Sequence, residues 1–145
     1  MAPLVIERVF DAPVSVLWTA LTDKDEMKQW YFDLKEFKTE PGFRFSFTGG
    51  TEEKQYLHLC EVIDVIPNKK LSYTWKYDGY TGESKVTFEL FPEGNKTRLR
   101  LTHDRLETFP ALADFARQNF EQGWASIVGT SLKEYIAKKG AETTL

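Results

Sequence analysis

The chain predicts an α+β fold: a curved antiparallel sheet of about six or seven strands wrapped around a long C-terminal helix, with two short helices after strand one. Three observations carry that reading. Between Phe43 and His103 apolar and polar residues alternate in successive runs separated by turn residues, the mark of half-buried strands. From Asp114 onward the apolar residues recur at helical spacing. Ahead of both, a short β-rich run is followed by two segments of helical period.

Leu4 to Phe10 is rich in Val, Ile and Phe and stops at Asp11-Ala12-Pro13, so it reads as the first strand. Either Ile6, Arg8 and Phe10 or Val5, Glu7 and Val9 face inward. Pro13 suits a first helical turn, and Val14, Leu17, Trp18 and Leu21 then make one buried helical face. Asp23 with Glu26 resembles a capping box, opening a second short helix to about Trp30.

Phe43, Phe45 and Phe47 alternate with Arg44 and Ser46, and Thr48-Gly49-Gly50-Thr51 closes that strand as a turn. A longer strand runs from about Tyr56 to Ile66, broken by Pro67-Asn68. Leu71, Tyr73, Trp75 and Tyr77 follow, then a loop at Asp78 to Gly82. Val86, Phe88 and Leu90 pair across Glu93-Gly94-Asn95 with Leu99, Leu101 and His103 as a hairpin. Phe120, Trp124, Ile127, Val128, Leu132, Tyr135 and Ile136 form one stripe on a long helix that Gly140 is expected to end. The predicted order is strand, two helices, about six strands and the long helix, within one domain over residues 1–145.

Composition narrows function. Net charge is −3, with 19 basic and 22 acidic side chains intermixed, and no basic block is present to track phosphates, so no nucleic acid partner is expected. No apolar run is long enough to insert into a membrane, and the N-terminus lacks a secretory pattern. The single Cys60 has no partner for an internal disulfide, which fits a cytoplasmic location. The unusual component is aromatic: 11 Phe, 6 Tyr and 4 Trp must pack together, meet a partner or surround a cavity.

Chemistry is sparse. His58 and His103 lie at no metal-ligand spacing, no phosphate-binding glycine loop or nucleophile elbow occurs, and neither metal nor cofactor is expected. Cys60 reads as a buried structural thiol. Glu52-Glu53 and the Asp23 to Glu26 cluster read as solvated loop and cap charges. No catalytic residue is assigned. His103 points to the concave face, either as an orienting group or as a strand-end histidine satisfied by backbone or water, the commoner case.

The ligand-binding candidates are therefore aromatic. Phe45, Phe47, Tyr73, Trp75 and Phe88 come from strands, Phe120 and Trp124 from the long helix, and Trp30 from the second short helix. Most such rings are core in any fold. Tyr and Trp also carry a polar atom that needs a partner when buried, and with His103 they would give an apolar pocket its orienting groups. Gly123 beside Trp124 would admit close approach of a strand or ligand.

Ile6-Glu7-Arg8-Val9-Phe10-Asp11-Ala12-Pro13, Val16-Leu17-Trp18 and Leu21-Thr22-Asp23 resemble the opening of the START-like (SRPBCC) helix-grip superfamily. Within it the likeness is to proteins named after the C-terminal domain of the activator of the ninety-kilodalton heat-shock protein (Hsp90) ATPase. Met27-Lys28-Gln29-Trp30, Pro41-Gly42-Phe43-Arg44-Phe45, Leu71-Ser72-Tyr73-Thr74-Trp75, Gly123-Trp124 and Leu132 extend the match over nearly the whole chain. The resemblance implies a cavity between sheet and helix that binds a small apolar molecule. It also implies two alternatives: a co-chaperone of Hsp90 in a stress response, and a cyclase or hydrolase using the cavity. The co-chaperone that gives the family its name has a further N-terminal domain absent from these 145 residues.

Overall fold

A computed structural model describes residues 2–50 and 54–143. Thr51 and the Glu52-Glu53 pair lie outside the described residues. The elements are β1 (Leu4–Phe10), α1 (Val14–Thr22), α2 (Lys24–Trp30), β2 (Arg44–Gly50), β3 (Gln55–Ile66), β4 (Lys70–Tyr77), β5 (Ser84–Glu93) and β6 (Lys96–Asp104). They are followed by α3 (Arg117–Ser126), a π turn over Ile127–Leu132 and α4 (Lys133–Thr143).

The six strands form one antiparallel sheet in the order β1-β6-β5-β4-β3-β2. Among the described residues five strands follow the short helices, one fewer than the upper expectation. They are the five alternating runs named above, and Thr48 to Gly50 continue β2, pairing with Leu57, Tyr56 and Gln55, where a turn was expected. β3 shifts register between Val62 and Asp64. That bulge bends the sheet.

Along β1 the Leu4, Ile6, Arg8 and Phe10 set faces inward: Leu4 and Phe10 are buried, while Val5 and Val9 are 53% and 43% exposed. Asp23 caps α2 as expected, accepting from the backbone N–H groups of Asp25 and Glu26. Glu26 does not close the capping box. Its carboxylate accepts instead from the Tyr135 hydroxyl at 2.7 Å and meets Lys139 at 3.3 Å, tying α2 to α4.

The C-terminal helix departs from expectation at both ends. Its regular part starts at Arg117, because Ala113–Phe115 is a separate 3₁₀ turn and Ala116 is extended. Phe115 turns inward there, its ring 4.8 Å from Tyr77 and 5.0 Å from Tyr80. Gly140 does not end it, since α4 continues to Thr143.

The π turn follows from the spacing of the stripe. Phe120, Trp124, Val128, Leu132 and Ile136 recur every fourth residue, and all five are buried. On an α-helix four residues overshoot a full turn by about 40°, so the ends of this stripe would diverge by about 160°. A wider i→i+5 turn absorbs the surplus and returns Leu132 and Ile136 to the sheet side.

This half of the stripe should be the more sensitive to truncation. Leu132→Ala is expected to lower stability by about 2–5 kcal/mol, and Ile127→Ala, at a half-buried position, by less than half of that. Urea unfolding midpoints measured at constant m-value check both.

Candidate functional site

The centre of the helix–sheet seam is a directional hydrogen-bond relay. Trp124 Nε1–H donates to His103 Nδ1 at 2.9 Å. An indole nitrogen can only donate, so Nδ1 must be the acceptor and the imidazole proton must sit on Nε2. That proton is shared with Ser84 Oγ at 2.6 Å, and the Ser84 hydroxyl donates to the Trp75 carbonyl at 3.1 Å. His103 and Ser84 are both buried. Burial pushes the His103 pKa from 6.5 down to about 3. A proton on Nδ1 would face the indole N–H, donor against donor.

The other histidine was given no role by sequence reasoning. His58 on β3 lies parallel to the Phe47 ring at 4.5 Å and meets Trp75 and Tyr77 edge-on at 4.9 and 4.8 Å. Burial lowers its pKa from 6.5 to about 4, against the opposing effect of the Tyr56 and Phe47 backbone. The strict alternation of Tyr56, His58 and Cys60 was the available signal.

The expected aromatic set comes together, mostly as packed interior. Trp75 lies 5.4 Å and Phe88 6.1 Å from Trp124, Phe120 lies 5.1 Å from His103, and Phe45 lies 5.1 Å from Tyr73. Trp75 Nε1 donates to the Tyr77 hydroxyl at 2.9 Å. Trp30 is set apart, donating to the Ala20 carbonyl at 2.9 Å and so joining α2 to α1. Among the described residues no buried side-chain nitrogen or oxygen lacks a hydrogen bond.

Sequence reasoning missed Tyr31 and Phe32, which follow α2 without any period to announce them. Tyr31 packs 6.2 Å from Trp124 and 6.0 Å from Phe47, with its hydroxyl 2.6 Å from that of Tyr73. Burial, reinforced by the Tyr73 hydroxyl, raises the Tyr31 pKa well above the usual phenol value. Phe32 stacks on Phe47 at 4.3 Å. Gly49 makes that stack possible, since a Cβ there would stand 2.8 Å from the Phe32 ring and 3.1 Å from His58.

Beyond these rings a pocket of about 470 Å³ opens between the β2–β3 end of the sheet and α3. Tyr56, His58, Tyr77, Phe115 and Phe120 give its rings, Lys54 and Asn119 its polar groups, and Gly49, Gly50 and Gly123 its bare backbone. Of the nine candidates Phe120 alone lies in its wall. No strand approaches Gly123: a Cβ there would meet nothing within 4 Å, so the residue faces open space. A second pocket, of about 520 Å³, spans β2, β3 and β4 where Arg44, Ser46, Glu61 and Thr74 point, with Phe45 in its lining.

A six-stranded sheet gripping a C-terminal helix, with two short helices inserted after β1, is the helix-grip arrangement. The family model described as "Activator of Hsp90 ATPase homolog 1-like protein" matches residues 11–137. The chain belongs to this family. Among solved structures it is similar to protein MLL2253 from Mesorhizobium loti, 28% identical with a TM-score of 0.77 over 94% of this chain and 98% of that one. CalU16 from Micromonospora echinospora is 23% identical, with a TM-score of 0.72 over 97% of this chain and 79% of that one. The Mll3558 protein from Rhizobium loti is 18% identical, with a TM-score of 0.80 over 92% and 96%. The last two likenesses concern the fold. No curated protein sequence matches the chain.

In this family member, among the described residues, no three His, Cys, Asp or Glu side chains are grouped to hold a metal ion. No described helix is long and apolar enough to cross a membrane. Cys60 is buried, and burial raises its thiol pKa well above the usual value.

Two outcomes follow from the relay. Between pH 6.5 and about 3 the unfolded chain binds a proton at His103 that the folded chain refuses, so stability is whole above pH 6.5 and falls as the pH drops through that window. From pH 7 to 4.5 this one group should remove of the order of 2–3 kcal/mol, read as a loss in urea-derived stability that His103→Gln diminishes. Trp124→Phe keeps a ring but leaves Nδ1 without its donor. It should cost about 1–3 kcal/mol, and ¹⁵N spectra of the wild type should show the Nε2–H tautomer.

Proposed function

We propose that the protein binds a small apolar or aromatic molecule between the sheet and the C-terminal helix, entering through the pocket framed by Tyr56, His58, Phe120 and Gly123. The observation that supports this reading is that pocket. It has ring-lined walls, a few polar groups and about 470 Å³ of space, the character of small-molecule sites in general. Behind its His58 wall stand Phe47 and Trp75, with Tyr73, Phe88, Trp124 and His103 deeper in the seam. Those rings, with Phe45 and Trp30, are the proposed inner surface of the site.

Binding is favoured over cyclisation or hydrolysis because both ring nitrogens of His103 are committed to hydrogen bonds within the fold. Burial also pushes both imidazoles well below the pKa of a base poised near neutral pH. Interaction with an Hsp90 chaperone is a second reading, favoured by the family match over residues 11–137. An unchanged Hsp90 ATPase rate in the presence of the protein would remove it.

Gly123 gives the direct test of the pocket. Gly123→Leu should fill the space, leave stability unchanged or raise it by up to about 1 kcal/mol, and weaken binding of 1-naphthol or indole at least tenfold. Amide shifts in the wild type should concentrate at Tyr56, His58, Phe120 and Gly123. If indole, 1-naphthol and a fatty acid at millimolar concentration move none of these signals, the pocket reading fails.

A further inference from the structure

The space that a ligand would need deep in the seam is already filled by part of the chain. Residues 31–43 connect α2 to β2 without helix or strand. Tyr31, Phe32 and Phe37 project from this connection onto Trp124, Phe47 and Phe45, and Leu34 is buried with them. Among the described residues, none of the backbone–backbone hydrogen bonds outside helices and strands joins residues 32–39. Ring packing, with the bond that Lys24 Nζ donates to the Lys35 carbonyl at 3.1 Å, therefore does the holding there. A segment held that way opens locally at lower free energy than the sheet beneath it.

What Tyr31 does inside is informative about what could replace it. Its phenol ring lies nearly parallel to Trp124, 20° from coplanar, and its hydroxyl is bonded to Tyr73, whose own hydroxyl has no other described partner. Tyr31 itself has φ −120° and ψ −113°, outside the usual helix and strand regions, as the chain leaves α2 to carry the ring inward. The result is a pre-built phenol site: flat aromatic walls, with one polar atom placed to meet a hydroxyl. Phe32 sits at its edge nearest the open pocket, against Gly49 and 5.9 Å from His58.

We propose that the Tyr31–Phe32 segment is a displaceable internal occupant, and that the ligand is a phenol whose ring and hydroxyl take the place of Tyr31 against Trp124, Phe47 and Tyr73. This rests on the small-molecule reading above and deepens it, assigning the ligand class and the residue that discriminates. Ligand entering from the open pocket pushes Phe32 off Phe47, Tyr31 follows, and the bond from Tyr73 passes from the chain to the ligand. No covalent step is involved.

The test uses 4-methylphenol, with toluene as the probe lacking a hydroxyl. Calorimetry should show 4-methylphenol binding at least fivefold more tightly than toluene, and amide spectra should show the signals of residues 31–39 moving toward unstructured-chain shifts on binding. Tyr73→Phe should erase the preference between the two probes. Tyr31→Phe keeps the packing ring but loses the competing hydroxyl, so it should bind 4-methylphenol several-fold more tightly than the wild type. Shifts confined to Tyr56, Phe115, Phe120 and Gly123, with the amide signals of residues 31–39 unmoved, would overturn the displacement and leave the open-pocket reading standing. Absence of binding by both probes and by the indole and naphthol set would overturn both.

Discussion

The hydrogen bond from Trp124 to His103 sets the position of everything on the concave side. An indole donor allows one tautomer, that tautomer must donate to Ser84, and Ser84 must donate to the Trp75 carbonyl. The relay thus links the helix to β6, β5 and β4 and fixes how far the helix is rotated. With Trp124 aimed down, Phe120 and Val128 fall on the sheet and Gly123 falls outward, on the wall of the pocket. In a low-dielectric interior a satisfied chain of this kind rigidifies what it joins, and a broken one is costly.

The helix is also held off-centre. Arg117 donates to the Ala2 and Pro3 carbonyls, Lys133 to the Val9 carbonyl, and the Arg8 guanidinium from β1 would lie 3.3 Å from a Cβ at Gly129. These contacts tie the helix to the β1 end of the sheet. At the opposite end, over β2, the 31–43 connection packs Phe32 on Phe47 and Phe37 on Phe45, and the open pocket lies beside Gly49 and His58.

How much of this was legible follows from what leaves a period in the chain. Alternation in Leu71 to Tyr77 and Val86 to Leu90 marked the sheet interior, and the fourfold recurrence from Phe120 to Ile136 marked the helix. The same recurrence contains the π turn, since a stripe at every fourth residue cannot stay on one side of an α-helix, although spacings of three and four together look like ordinary helix. Glycine usually weakens a strand, so Thr48-Gly49-Gly50 reads as a turn in the sequence. Here Gly49 is in the strand so that Phe32 and His58 can approach. Tyr31, Phe32 and Phe37 left no period at all, being placed by tertiary contacts and not by a repeating backbone. Their trace was only compositional: three consecutive rings from Trp30 to Phe32, at the end of a helix, are too much aromatic surface to leave in water.

The same packing bears on selectivity. Because the described buried side-chain nitrogen and oxygen atoms are already paired, an incoming molecule would find no orphan side-chain donor or acceptor among them. It can only exchange partners. A hydroxylated ring that displaces Tyr31 returns to Tyr73 the bond it removes, and the balance is near zero apart from the cost of releasing the segment. A purely apolar ring would leave the Tyr73 hydroxyl buried and unpaired, a penalty of about 1–3 kcal/mol, or roughly 5- to 150-fold in affinity. If the proposed displacement holds, the interior would select by the bond it stands to lose and not by any bond it lacks, and a seam whose buried side-chain polar atoms are all paired could still discriminate among ligands of equal size.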